Sequence, residues 1–266
     1  MDDRPIGMFD SGFGGLTVAR AVIDLLPAED LIYIGDTGRY PYGPRDLAEV
    51  AGFAHQITAT LVGELGVKLV VVACNTAAAA ALDDLRASFE VPILGVISPG
   101  ARATVSATRS GRVGVIGTVG TIASGAYQRE IRGDGIELTC AACPGFVEFV
   151  ERGETASEQV HVLAERLLEP VVRAKVDALL LGCTHYPFLA RTIADVMGRD
   201  VVLVSSADET AFEALAIMTR SGLGTARSSP GRHRFISSGD VNEFRRLGSR
   251  LLGPELDVEV EACSWP

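Results

Sequence analysis

Residues 70–80 read VVVACNTAAAA and residues 178–190 read ALLLGCTHYPFLA. Each is a short apolar run ending in a cysteine with polar followers: Cys74 with Asn75 and Thr76, Cys183 with Thr184 and His185. A lone cysteine is usually a buried, inert small hydrophobe. The same construction twice in one chain suggests two equivalent half-sites. Two thiols opposed across a cleft have a distinct use: a thiolate removes a proton from a carbon centre and a thiol delivers one to the opposite face, inverting the stereocentre. Thiol pKa values must then come down from about 8.5 toward neutrality. Helix N-termini after both cysteines favour that shift, and Asp10 near one thiol with His185 near the other suits a proton relay.

Other readings compete. Cys183 and His185, two apart in extended backbone, project to one side and suit a thiol nucleophile of the hydrolase or acyltransferase kind, but that chemistry leaves the first motif idle. A binding module whose two lobes close on an amino acid without turning it over is a third reading. GFGG (12–15) lacks the third glycine of a dinucleotide fingerprint, Thr17 standing in its place; it fits a backbone nest for a small anion beside Ser11. Asp10 is by type a turn former or helix cap, and its place before that nest makes it a candidate to receive an ammonium or poise a thiol. Cys140 and Cys143 form a C-x-x-C with no second pair, so no metal site is expected. Pyridoxal phosphate needs a Schiff-base lysine; the only lysines, Lys68 and Lys175, precede their strands, at the edge away from the cleft, so no cofactor is expected. A substrate carboxylate would be held by helix-terminus N–H groups and by Ser11, Asn75, Thr76, Thr118, Thr121 and Thr184.

The elements that must carry these residues alternate between strand-like and helix-like runs, the pattern of parallel sheets covered on both faces. Strands are expected at 6–9, 31–35, 69–73 and 93–97, with helices at 16–26, 46–65 and 76–89 between them. A second unit begins near Ser98: strands at 112–117, 136–142, 177–182 and 201–205, helices near 122–132, 158–173 and 187–197. A helix at 210–221, strand 234–237, helix 241–252 and strand 256–262 are expected to rejoin the first unit. The division is thus 1–97 plus 210–266 against 98–209: two α/β domains of mostly parallel sheet flanked by helices. Ligand sites in such sheets lie at the carboxyl ends of strands, where every polar cluster here falls, so the site is expected between the domains.

With 266 residues, 47% of them hydrophobic, the chain can bury two cores. A formal charge of -10, with scattered basic residues, argues against a nucleic-acid partner. The apolar runs are strand-length, far short of a membrane span. No signal peptide is read at MDDRPIG, and five cysteines are no disulfide scaffold in a chain this long, so a reducing cytoplasm is expected.

DSGFGGLTV (10–18), GD (35–36), PYG (41–43), ACNTA (73–77) and GCTHYP (182–187), in this order, resemble the glutamate racemases, cofactor-independent bacterial enzymes that supply D-glutamate for peptidoglycan. The resemblance implies pseudo-twofold α/β domains with glutamate between them and Cys74 and Cys183 as the two bases. It implies that Asp10, His185 and Glu151 assist the thiols. Substrate contacts carried over by motif are Asp10, Ser11, Pro41, Tyr42, Gly43, Asn75, Thr76, Thr118, Thr121, Thr184 and His185. Family members are often homodimers. The related aspartate racemases tend to carry glutamate where His185 stands, which favours glutamate over aspartate. Glu148 and the tail from Leu223, with the lone Trp265, depart from the family pattern.

Overall fold

The computed structural model describes residues 1–253 and 259–265; residues 256–258 of the last expected strand lie outside them. The strands are β1 (Ile6–Asp10), β2 (Leu31–Gly35), β3 (Leu69–Val72), β4 (Ile93–Gly95), β5 (Arg112–Gly117), β6 (Glu137–Ala142), β7 (Ala178–Gly182), β8 (Val202–Ser205), β9 (His233–Ser237) and β10 (Val260–Ala262). They form a six-stranded sheet in the order β10-β9-β2-β1-β3-β4 and a four-stranded sheet in the order β6-β5-β7-β8. Every pairing is parallel. β1, β2, β3 and β7 are buried along their whole length, which is why they read as continuous apolar runs rather than alternating ones.

The order β2-β1-β3-β4 recurs as β6-β5-β7-β8, so the two cysteine motifs stand after topologically equivalent strands, β3 and β7. β9 pairs with β2 in parallel and adds the late strands to the first sheet.

The helices are α1 (Leu16–Leu25), α2 (Leu47–Ala59), α3 (Asn75–Ser88), α4 (Ile97–Ala107), α5 (Val119–Ala123), α6 (Ala126–Glu130), α7 (Phe146–Arg152), α8 (Glu158–Arg173), α9 (Ala190–Met197), α10 (Ala207–Ser221) and α11 (Val241–Leu252). Three local differences from the sequence reading have physical causes. β4 stops at Gly95 and Ile97 opens α4, a helix the sequence reading does not assign; its Pro99 falls in the first turn, where proline has no helical N–H bond to lose. The single helix read at 122–132 is split into α5 and α6 by Gly125 in the left-handed region, φ +69°. α7 falls in a stretch to which the periodicity assigns no helix.

α4 packs on β7 and β8 and against α10, and α10 packs on α1. Val113, Val115 and Leu180 of the second sheet belong to the larger hydrophobic cluster with the first sheet, while Ile116, Leu179 and Leu181 face a cluster of their own. A continuous apolar core therefore fixes the distance between the two sheets.

At the amino ends of the strands, fully buried Lys68 places Nζ 2.5 Å from Glu29 Oε2 and 2.6 Å from the Asp2 carbonyl. Glu29 also accepts the Thr225 N–H at 2.8 Å. Lys68→Met strands the Glu29 carboxylate in the core and is expected to cost about 3–5 kcal/mol of unfolding free energy. Urea denaturation measures it; a loss below about 1 kcal/mol contradicts the assignment.

Candidate active site

In each sheet the winding reverses next to the cysteine strand: β2 and β3 flank β1, β6 and β7 flank β5. A crevice opens at the carboxyl ends where the order reverses. Asp10 ends β1, Cys74 follows β3, Thr118 follows β5 and Cys183 follows β7. Ser11, Pro41, Tyr42, Gly43, Cys74, Asn75, Thr76, Thr118, Cys183, Thr184 and His185 line one cavity between the sheets, together with Tyr40 and Val147. Its free volume is about 20 Å³, room for a single water.

Cys74 is itself the N-cap of α3: its Sγ accepts the Ala77 N–H at 3.5 Å and lies 3.8 Å from Ser11 Oγ. At Cys183 the backbone N–H groups of His185 and Tyr186 lie on the side of the sulfur and oppose the rise of its pKa, the Tyr186 N–H donating to the Cys183 carbonyl at 3.1 Å. These contacts favour thiolate. Burial outweighs them, pushing the Cys74 thiol up to about 12 and Cys183 well above its ordinary value; negative charge on Asp10 acts in the same direction on both. Asp10 is the group the two sulfurs share. Burial raises its carboxyl above the usual range, opposed by charge on His185, by the N–H groups of Gly12 and Gly15, and by the Thr184 hydroxyl. Gly12 N–H donates to Oδ1 at 2.9 Å and Thr184 Oγ1 to Oδ2 at 3.2 Å.

His185 does not sit as extended backbone requires. Its φ of -83° and ψ of -26° are helical, and a 3-10 turn, Tyr186–Leu189, starts at once. The ring packs edge-on against Phe13 at 5.1 Å and near Tyr40 at 6.2 Å. Nε2 lies 3.7 Å from Glu151 Oε1 on α7, and it has no hydrogen-bond partner among the described residues. Glu151 lines a neighbouring cavity with Phe13, Tyr40 and Phe244 rather than the one that holds the thiols. GFGG serves close packing: a Cβ on Gly14 would lie 2.5 Å from both His185 Nδ1 and Thr184 Oγ1, and one on Gly15 would lie 2.6 Å from the Asp10 Cβ. Glycine there lets the first lobe's turn touch the second lobe's Cys-Thr-His motif.

Hydroxyls close the other side. Thr76, Thr118 and Thr121 bond one another at 2.9–3.2 Å across the lobes, and Gly120 N–H donates to the Gly43 carbonyl at 3.0 Å. Asn75 Nδ2 donates to the Tyr127 hydroxyl at 2.8 Å, leaving Asn75 Oδ1 buried without a partner among the described residues. A buried amide oxygen left unpaired is costly unless a ligand donor meets it. Tyr40, Val147 and Tyr127 are the residues the sequence reading does not single out. For Tyr40 the available signal is its place directly before PYG; for Val147 and Tyr127 only the tertiary fold brings them in.

Known proteins resemble this chain along its whole length. A glutamate racemase of Parafrankia sp. is 53% identical over 269 residues, covering 100% of this chain and 97% of its own. The crystal structure of glutamate racemase isoform RacE1 from Bacillus anthracis superposes with a TM-score of 0.93 at 39% identity, over 100% of this chain and 98% of that one. A glutamate racemase from Francisella tularensis, solved in complex with D-glutamate, gives 0.90 at 32% identity over 100% and 98%. Residues 10–214 match the family model described as Asp/Glu/Hydantoin racemase, and the chain belongs to that family.

Proposed function

We propose that the protein interconverts L- and D-glutamate by two-base proton transfer at Cα, with Cys74 and Cys183 as the bases. The observation that carries this reading is that two thiols on equivalent strands of a repeated sheet line one cavity. A cytoplasmic role supplying D-glutamate for peptidoglycan accords with the whole-length likeness to glutamate racemases. Among the described residues no helix is long and apolar enough to cross a membrane.

The chain's own groups set the order of events. The substrate ammonium finds an acceptor in Asn75 Oδ1, and its positive charge between the thiols lowers their pKa. Its carboxylates meet the N-terminal N–H groups of α3 and the hydroxyls of Ser11, Thr76, Thr118, Thr121 and Thr184. Pro41, Tyr42 and Gly43 form the cavity wall on the first lobe. One sulfur, deprotonated to Asp10 or His185, takes the Cα proton while the other gives its own to the opposite face. Each turnover exchanges which sulfur is ionised, and the same two side chains restore the starting distribution. Glu151, 3.7 Å from His185, orients that ring.

Cys74→Ala and Cys183→Ala are each expected to lower racemisation by on the order of a thousandfold or more. Polarimetry with L-glutamate measures it, and in deuterated water the wild type should place label at Cα of the product enantiomer. Near wild-type racemisation in either variant refutes the two-base reading.

The thiol pKa values add a pH dependence. Both are raised by burial, so the free enzyme holds thiols at neutral pH and the reactive thiolate grows as pH rises toward them. The ratio kcat/KM, which reports the free enzyme, is expected to climb between pH 6 and about pH 9, approaching roughly tenfold per unit. A flat profile over that range contradicts a required thiolate.

A further inference from the structure

Asp36, wholly buried one residue beyond β2, gathers four side-chain donors on one carboxylate. Oδ2 accepts from Arg39 Nε at 2.7 Å and from the Tyr42 hydroxyl. Oδ1 accepts from Ser238 Oγ and from the indole N–H of Trp265, each at 2.6 Å. The two oxygens therefore divide the work: one holds the loop 36–43 and the other holds the carboxyl-terminal strands and tail. The Asp36 N–H donates to the Asp10 carbonyl at 3.0 Å, so the same residue is anchored to the strand that carries Asp10. The Arg39 guanidinium lies 4.2 Å from the Phe53 ring centre and 4.8 Å from that of Trp265, which seats the indole against the loop.

Tyr42 lines the cavity that holds both thiols. Trp265 is the single tryptophan of the chain and lies beyond residues 10–214, where the family match ends. A segment outside the matched region thus reaches back, through one buried carboxylate, to a cavity-lining side chain.

We infer that Trp265 is a positioning residue: its indole N–H holds the Asp36 carboxylate in the rotamer that presents Tyr42 to the substrate, so the tail sets substrate affinity from outside the cavity. The inference rests on the glutamate reading. A charged acceptor that loses one donor loses both an interaction and a restraint on its rotation, and the restraint is what Tyr42 depends on. Tyr42 touches substrate away from the reacting hydrogen, so the effect falls on ground-state and transition-state binding together.

The test compares wild type, Trp265→Phe and Tyr42→Phe in racemisation and tryptophan emission. Trp265→Phe keeps a ring over Arg39 but removes the N–H; its KM for glutamate is expected to rise about five- to tenfold with kcat changed less than about twofold. In wild type, glutamate is expected to shift the emission of Trp265 saturably with a midpoint near KM, and Tyr42→Phe should lose most of that shift. A Trp265→Phe enzyme with wild-type KM overturns the inference, as does an emission insensitive to glutamate or equally sensitive in Tyr42→Phe. The last two readouts need no tail variant to fold. Wild-type enzyme that does not racemise glutamate overturns the functional reading instead, which separates the two failures.

Discussion

Desolvation of two sulfurs that line one cavity, and of the buried carboxylate of Asp10 beside them, governs this molecule. Each buried group is held from its charged form by the loss of water: Cys74 and Cys183 are pushed toward thiol and Asp10 toward the protonated acid. In water none of the three would behave so. Packed together they discourage one another further, because charge on Asp10 opposes charge on either sulfur. Among the described residues a fixed cation is what this arrangement lacks, since Lys68 sits at the far ends of the strands and the one lining side chain able to become positive is His185. An amino acid brings its ammonium with it. The substrate then completes the electrostatics of its own catalyst, and the thiolate need exist only while the substrate is present.

The repeated strand order explains how two such sulfurs come to face one ligand. A parallel sheet collects its loops on one edge, and a reversal in winding opens a crevice there. One sheet supplies one crevice and one strand-end cysteine. Placing two copies edge to edge supplies opposed thiols without any special backbone geometry, since each simply caps the helix or turn that follows it. The separation then depends on how firmly the lobes are joined. α4 and α10 hold it, because they carry apolar side chains from both sheets into a shared cluster. Close-packed interiors transmit small displacements, so the sulfur-to-sulfur geometry is tied to core packing distant from the chemistry.

How much of this could be read from the sequence depended on whether the signal was local. The strand-end cysteines were readable because a wholly buried strand leaves a run of apolar residues and because the polar followers interrupt it abruptly. Asp10, Ser11, Asn75, Thr76 and Thr184 were readable for the same reason, each lying within four residues of a strand end. His185 was placed by a spacing rule for extended backbone, whereas the chain turns helical there, and its neighbours Phe13, Tyr40 and Glu151 come from elements far away in sequence. GFGG read as an anion nest; that Gly14 also stands where two lobes approach too closely for a Cβ is a property of the partner surface and invisible in the motif itself. The convergence on Asp36 lay equally out of reach. Trp265 and Ser238 are more than two hundred residues away from it in the chain, and nothing local marks a tail indole as the donor to a loop carboxylate.

A cavity of about 20 Å³ cannot receive an amino acid unless its walls yield, and the hydrogen bonds indicate which wall that is. The shared core of α4 and α10 resists separation because parting it exposes apolar surface at roughly 25 cal/mol per Å². The threonine side is different. Thr76, Thr118 and Thr121 satisfy one another, at a net value of about 1 kcal/mol per bond, and each can exchange a threonine partner for a substrate oxygen. The contact between the lobes is thus polar and exchangeable where hydroxyls meet, and apolar and resistant where hydrophobic side chains meet. Exchange of a threonine partner for another oxygen there substitutes one polar contact for another with little net loss.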